Sequence, residues 1–197
     1  MTELYENDLK LIRERGMATL CGLDEAGRGA LAGPVVIAGV VLDYAQPIDA
    51  LNDSKQLSAK KRSELYTLIT QQALAYEIVA LPVSLIDEIN ILQTTLRGFQ
   101  MVYEKLESRC DYALIDGRDL PSGIQGEAII GGDHLHACIA AASVLAKVYR
   151  DNLMIELDGK YPEYSFAIHK GYGTKKHYEV LATFGACQEH RRSFRLF

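Results

Sequence analysis

The sequence predicts an α/β protein built on an open sheet, and three observations carry that prediction. Apolar, β-branched runs of strand length recur along the chain, with amphipathic helical segments between them. Three strand-like runs lead into a carboxylate beside glycine, at Asp24 and Glu25, at Asp116 and at Asp133. A core strand needs no acid at its end, whereas open α/β sheets carry functional groups there. With 197 residues, 48% of them apolar, the chain has ample material for a core.

Residues 1 to 15 scatter Leu4, Leu9, Leu11 and Ile12 among charges, which predicts a weak surface helix closed by Gly16. A short apolar strand from Leu20 then runs into Asp24 and Glu25 and on into Gly27-Arg28-Gly29. Neighbouring strand side chains take opposite faces, so both acids can share one site only if the strand ends or bulges there. Acids beside a turn that gathers backbone N–H groups and a guanidinium suit a divalent cation holding a phosphate. A solvated strand end before a hairpin turn is the plainer reading of the same residues. Pro34 to Leu42 is continuous and β-branched, a strand buried on both faces that pairs with the first as a hairpin. Because a strand follows Gly27, Gly29 and Gly33, they do not form a dinucleotide-binding loop, which requires a helix there.

Asn52 to Leu57 reads as a polar loop, and Ser58 caps a helix to about Ala73 with Leu65, Leu68 and Ile69 inward. Lys60, Lys61 and Arg62 in its first turns oppose the helix dipole; a phosphate partner for Lys55 or its neighbours and a solvated face are both open readings. Tyr76 to Val83 is a third strand, ended by Pro82. Ser84 then caps a short helical turn from Leu85 to Glu88, and Ile91 to Leu106 is an amphipathic helix.

Beyond the strand-like runs Tyr112 to Gly117 and Glu127 to Asp133, an alanine-rich helix spans His134 to Leu157. Ser143, Lys147 and Asp151 form one polar stripe flanked by Arg150, in which Lys147 and Asp151 can simply pair with each other. His134 and His136 have no further ligand at suitable spacing and read as incidental. The loop His169 to Thr174 combines a cation, an aromatic ring and two glycines, a means of meeting a sugar or base beside its phosphate. Lys175 to Phe184 is a short helix, and His190 to Phe194 adds a second basic cluster.

A net charge of −5 argues against a non-specific nucleic-acid binder. Its distribution says more, because from Gly159 onward seven Lys and Arg against three Glu give +4, leaving −9 before it. Carboxylates gathered around metal ions with phosphate gripped elsewhere would show this split, as would a merely solvated tail. The charged N-terminus lacks a signal-peptide core and no apolar run approaches a membrane span, so a cytoplasmic location without membrane partners is expected. Cys21, Cys110, Cys138 and Cys187 are far apart and read as buried or idle thiols. Residues 1–158 read as one domain with its N-terminal helix, and residues 159–197 as a basic helical arm packed on it.

Ordered along the chain, Gly22 to Gly29, Leu51 to Lys55, Ile86 to Ile91, Leu114 to Gly117, Gly132-Asp133, Ala140 to Val148, His169 to Thr174 and His190 to Phe194 make the sequence resemble bacterial ribonuclease HII, the type 2 ribonuclease H family. The resemblance implies a ribonuclease H-like mixed β-sheet flanked by helices, with a small helical C-terminal arm. By position it places the family's four catalytic, metal-holding carboxylates on Asp24, Glu25, Asp116 and Asp133, with Asp24 and Asp116 as central ligands. The ribonucleotide-reading motif falls on Gly27, Arg28 and Gly29, and the tyrosine that packs on the sugar at the RNA-to-DNA junction is Tyr172. Lys55, Ser143, Lys147, His169 and Lys170 match polar positions near the substrate backbone.

The implied activity is that of a monomeric endoribonuclease of DNA replication and repair. It would hydrolyse the RNA strand of RNA/DNA hybrids and cut 5′ of ribonucleotides in duplex DNA, using two Mg²⁺ or Mn²⁺ ions and leaving 5′-phosphate and 3′-hydroxyl ends. The chain departs from the pattern at Ala30 (usually proline), Gly131 (commonly lysine, so one cation near the acids is lost) and Cys138 (often serine). A catalytically silent nucleic-acid-binding protein of the same fold would be favoured by loss of an acid, and none is lost. A small-molecule phosphatase is opposed by the basic stretches near Lys170 and Arg191.

Overall fold

The structure, a computed structural model, describes residues 2–48, 50–51 and 58–196. Its elements in chain order are α1 (Glu3–Arg15), β1 (Leu20–Ala26), β2 (Val35–Val41), α2 (Ala59–Gln72), β3 (Ala75–Leu81), α3 (Val83–Leu106), β4 (Tyr112–Asp116), β5 (Gly126–Ile129), α4 (Ala137–Lys160), α5 (Phe166–His169) and α6 (Lys175–Phe184). The strands form one sheet in the order β3-β2-β1-β4-β5. β1, β2 and β3 pair antiparallel, whereas β4 and β5 add in parallel on the other side of β1. The mixed sheet flanked by helices is therefore present, and β2 is buried along its whole length as its β-branched run predicts.

Strand alternation sorts the core into two layers. Leu20 and Ala26 of β1 join Leu114 of β4 in a cluster with α4, while Cys21 and Leu23 join Ile115 in a cluster with α3. Asp24 and Asp116 thus belong to the α4 face. The sheet approaches α4 closely enough that a Cβ on Gly22 would lie 2.1 Å from the backbone carbon of Cys138. Only glycine fits there, so this residue sets the depth at which α4 crosses the strand bearing Asp24.

Several elements differ from expectation. α1 is an anchored helix and not a surface one: Asp8 is fully buried and accepts from Tyr44 Oη (2.9 Å) and the Cys138 N–H (3.0 Å), with His136 Nδ1 at 2.8 Å. A carboxylate among apolar neighbours is stable only when so satisfied, and here it also complements the N-terminus of α4. In α2, Ser58 caps as expected by accepting from the Lys61 N–H, and Leu65 and Ile69 face inward, but Leu68 is exposed. The break between the two predicted helices after β3 survives as a kink at Asn90, whose side chain caps the second segment by accepting from the Gln93 N–H at 3.0 Å. Pro82, not Ser84, occupies the position before the first.

The C-terminal segment holds the connection between β1 and β2. Leu31 N–H donates to Gly171 O (2.8 Å), Gly33 N–H to Glu189 O (2.8 Å) and Arg191 N–H to Leu31 O (2.9 Å). Farther along, Asp87 of α3 accepts from the N–H groups of Arg192 and Ser193 and from the Ser193 hydroxyl. These bonds lower the pKa of its carboxyl despite some opposing burial.

Candidate active site

Asp24 and Asp116 meet because β1 and β4 run parallel with Leu23 opposite Ile115, which puts each acid one residue farther along adjacent strands. Asp24 is buried, accepts from the Glu25 N–H at 2.7 Å and is hydrogen-bonded to Ser143 of α4. Burial raises its carboxyl pKa well above the usual range; the charges of Glu25 and Asp116 add to this, and the Ser143 bond opposes it.

The β1–β2 ladder continues without a bulge through Glu25 and Ala26, so the strand neither ends nor bulges at the two acids. Alternation sends Asp24 and Glu25 to opposite faces, and both still act electrostatically on Asp116 at the sheet's end. Burial also raises the Glu25 pKa, against the pull of the Arg28 guanidinium. Arg28 Nη1 lies 3.4 Å from Glu25 Oε1, while Oε2 is buried with no hydrogen-bond partner.

Asp133 does not end a strand. It is buried in a single 3-10 turn, residues 132 to 134, that follows β5. The Gly132 N–H donates to Asp116 Oδ1 at 2.8 Å and draws this turn toward the other acids. Gly131 enters it with φ 67°, a left-handed backbone that strains a residue bearing a Cβ, so glycine at the departure from the family pattern suits the local geometry. Among the described residues, no three His, Cys, Asp or Glu side chains meet around one point that could hold an ion.

Beside the acids lies a cleft of about 540 Å³ lined by Glu25, Gly27, Arg28, Gly29, Ser143, Lys147 and Tyr172. Arg62 of α2 also lines it, the one cation of that helix's basic first turns to do so. Lys147 Nζ pairs with Asp151 at 2.8 Å and lies 5.8 Å from the Tyr172 ring centre. Two other predicted substrate contacts, His169 and Lys170, do not line it. His169 is buried, with Nε2 on Tyr164 O (2.8 Å) and Nδ1 accepting from the Gly171 N–H. Lys170 turns its ammonium onto Ala167 O. Lys55 lies outside the described residues.

Two arginines have a role their sequence positions did not reveal. Arg150, expected on a polar stripe, is fully buried and donates to Pro34 O, Lys170 O and Ala32 O at 3.0 to 3.1 Å. Arg191, expected in a second basic cluster, is equally buried and donates to Gly33 O and Arg28 O. Residues 28–34 have few ladder partners, and a guanidinium with five N–H groups can satisfy several buried carbonyls at once. With Arg191 and Lys170 turned inward, Lys175, Lys176, Arg192 and Arg195 are the exposed cations of the two basic stretches, which weigh less against a small phosphate substrate. Among the described residues, Arg28, Lys147 and Arg62 are the cations that line the cleft.

A family model for Ribonuclease HII matches residues 21–197. Ribonuclease HII of Acinetobacter baylyi is 51% identical over 177 residues, covering 89% of this chain and 94% of its own. The solved ribonuclease H2 of Pyrococcus horikoshii OT3 superposes with a TM-score of 0.75 at 26% identity, over 91% of this chain and 95% of that one. RNase HII of Archaeoglobus fulgidus, solved in complex with PCNA, gives 0.74 at 26% identity over 88% and 92%.

Proposed function

The chain belongs to the ribonuclease HII family, with a ribonuclease H-like fold and the phosphodiester hydrolase activity of a ribonuclease H, and on that premise we propose its substrate, site and mechanism. It hydrolyses the RNA strand of RNA/DNA hybrids and cuts 5′ of ribonucleotides embedded in duplex DNA, leaving 5′-phosphate and 3′-hydroxyl ends. What supports this most directly is one juxtaposition: Asp24, Glu25 and Asp116 sharing an electrostatic site beside a cleft lined by Gly27, Arg28, Gly29, Lys147 and Tyr172.

The donor set fits Mg²⁺ or Mn²⁺. All four acids offer hard oxygens, Glu25 Oε2 is buried without a partner, and buried carboxyls that ionise with difficulty are those a dication would compensate. Asp24 and Asp116 would be the central ligands, with Glu25 and Asp133 completing the site. When bound, such ions supply an activated water and stabilise the charge on the leaving 3′-oxygen.

The chain's own groups position the substrate. Gly29, whose Cβ position faces open space, lets the duplex backbone come close to the turn, Gly27 leaves room for Arg150 behind it, and Arg28, already paired with Glu25, extends toward a phosphate. Ser143 orients Asp24, Lys147 meets the phosphate backbone, and the Tyr172 ring packs on the sugar at the junction. The 2′-hydroxyl is read and is not the nucleophile. No helix among the described residues is long and apolar enough to cross a membrane. We read the protein as a cytoplasmic monomer of DNA replication and repair, with residues 159–197 as an arm on the catalytic unit.

The test is an end-labelled DNA duplex carrying one internal ribonucleotide, incubated with wild type or Asp24→Asn in Mg²⁺, Mn²⁺ or chelator. Metal-dependent cleavage just 5′ of the ribonucleotide, lost in the variant, is the expected result. A 2′,3′-cyclic phosphate product would refute the mechanism. Binding without cleavage in either metal would establish a silent binder.

A further inference from the structure

We propose that His177 and His190, both buried away from the cleft, are positioning residues that fix Tyr172 through one continuous chain of hydrogen bonds. The inference rests on the reading of Tyr172 as a substrate contact. His177 Nδ1 lies 3.0 Å from Tyr172 O, and a carbonyl only accepts, so Nδ1 carries the proton. A neutral imidazole has one N–H, which leaves His177 Nε2 as an acceptor.

Facing it at 3.0 Å is His190 Nε2, which must therefore donate. His190 Nδ1 is then the acceptor and takes the Cys187 N–H at 3.1 Å, with the Cys187 thiol at 3.1 Å beside it. One carbonyl thus sets the tautomers along the chain. The opposite side of the loop is held by His169, whose ring stacks on His177 with centres 4.2 Å apart and planes 15° apart. Its Nε2 donates to Tyr164 O, and its Nδ1 takes the Gly171 N–H.

Two other roles for the cluster fail on geometry. Cys187 Sγ and His177 approach opposite nitrogens of His190, so no single metal ion could be reached by all three. A proton added to either bridging ring would set N–H against N–H. In keeping with that, burial lowers the pKa of all three rings, His190 to about 4. The chain ends on Tyr172, whose carbonyl also accepts from the Thr174 N–H at 2.8 Å and whose backbone bridges Ala30 in the β1–β2 connection. Arg150 lies 5.2 Å from the centre of its ring.

The experiment is a double-mutant cycle between His177 and Tyr172, read as KM and kcat on the single-ribonucleotide duplex and as duplex affinity in chelator. His177→Asn keeps a donor where Nδ1 stood, and His177→Gln moves it to the Nε2 position. The expected result is a loss of about tenfold in affinity and kcat/KM for H177Q, which removes the donor to Tyr172 O, and a clearly smaller loss for H177N, which keeps that donor but gives up the bond to His190. In a Tyr172→Ala background, H177Q should add less than about twofold. Equal losses in both backgrounds, or a folded H177N as impaired as H177Q, would overturn the proposal. If H177Q does not fold, His190→Gln, which keeps the ε donor, against His190→Asn, which does not, makes the same comparison. Wild type that binds the duplex but never cuts it would refute the proposed function alone, because the affinity cycle still decides the positioning role. Wild type that does not bind it would refute both.

Discussion

Gly27 and Gly29 flank Arg28 in one turn, yet alanine should act oppositely at the two positions. Gly27 has φ 97°, and a Cβ there would stand 2.0 Å from Arg150 Nε and 2.6 Å from its Cδ. Arg150 has little freedom to yield, being fully buried and bonded to three main-chain carbonyls. Left-handed backbone strain costs about 1–2 kcal/mol, and overpacking a full interior costs about 1–3 kcal/mol. The total, about 2–5 kcal/mol, is a large part of the roughly 5–15 kcal/mol that holds a domain folded. At about 2–4 °C per kcal/mol for a chain of this size, Gly27→Ala should lower Tm by about 10 °C. A Cβ on Gly29 meets nothing within 4 Å, so Gly29→Ala should melt within about 2 °C of wild type. Its methyl enters the cleft, however, and should lower kcat/KM by tenfold or more, on the order of the 1–3 kcal/mol of a steric conflict. Thermal unfolding in chelator and cleavage kinetics on the single-ribonucleotide duplex measure both. A Gly27→Ala protein as stable as wild type would show that Arg150 does not brace the turn; a fully active Gly29→Ala would show that substrate does not approach it.

Asp8→Leu should cost about 3 kcal/mol in denaturant unfolding, because it strips acceptors from the Cys138 N–H, Tyr44 and His136, while Asp8→Asn should cost clearly less. Lys147→Met should weaken duplex binding and reduce the slope of log affinity against log salt by about 1, measured by anisotropy in chelator. Asp151→Asn, which frees the Lys147 ammonium, should strengthen binding with little change in stability. The folded pKa of His190 is depressed to about 4, so the unfolded chain binds its proton first as the pH falls. Its contribution is therefore intact above about pH 6.5 and lost progressively down to about 4, at most about 3 kcal/mol. Wild type should lose stability across that window in urea titrations, and His190→Gln should lose less.

The acids were legible because a carboxylate at the end of an apolar strand conflicts with burial unless something compensates it. Where they lie relative to one another depends on features that no local pattern carries: the parallel register of β4 on β1 sets Asp24 beside Asp116, and the Gly132 N–H ties the Asp133 turn to Asp116. The expected bulge was an error of premise. Asp24 and Glu25 do not need to share a face, since at the end of the sheet both faces lie close to Asp116. Asp8 was unreadable for the opposite reason. Its partners His136 and Cys138 lie about 130 positions away, and nothing in a charged N-terminal helix marks one acid as interior.

Arg150 and Arg191 show why charge counted along a sequence misleads. Arg150 flanks a polar stripe and Arg191 belongs to a basic cluster in the sequence, and both lie inside, bonded to carbonyls of residues 28, 32–34 and 170. Burial, together with the charge of Arg150, lowers the Arg191 pKa to about 9, which leaves it a cation near pH 7. An apolar side chain would avoid that desolvation but would leave several buried carbonyls without donors in the one connection that must keep its shape at the cleft. Their bonds go to neutral carbonyls, neither makes a direct ion pair among the described residues, and Arg150 lies directly behind Gly27 and Tyr172. In a low-dielectric interior such charges act over longer distances than solvated lysines do. Under the proposed function, these charges and those of Arg28, Lys147 and Arg62 lining the cleft are what would draw a polyanionic duplex to a protein of net charge −5.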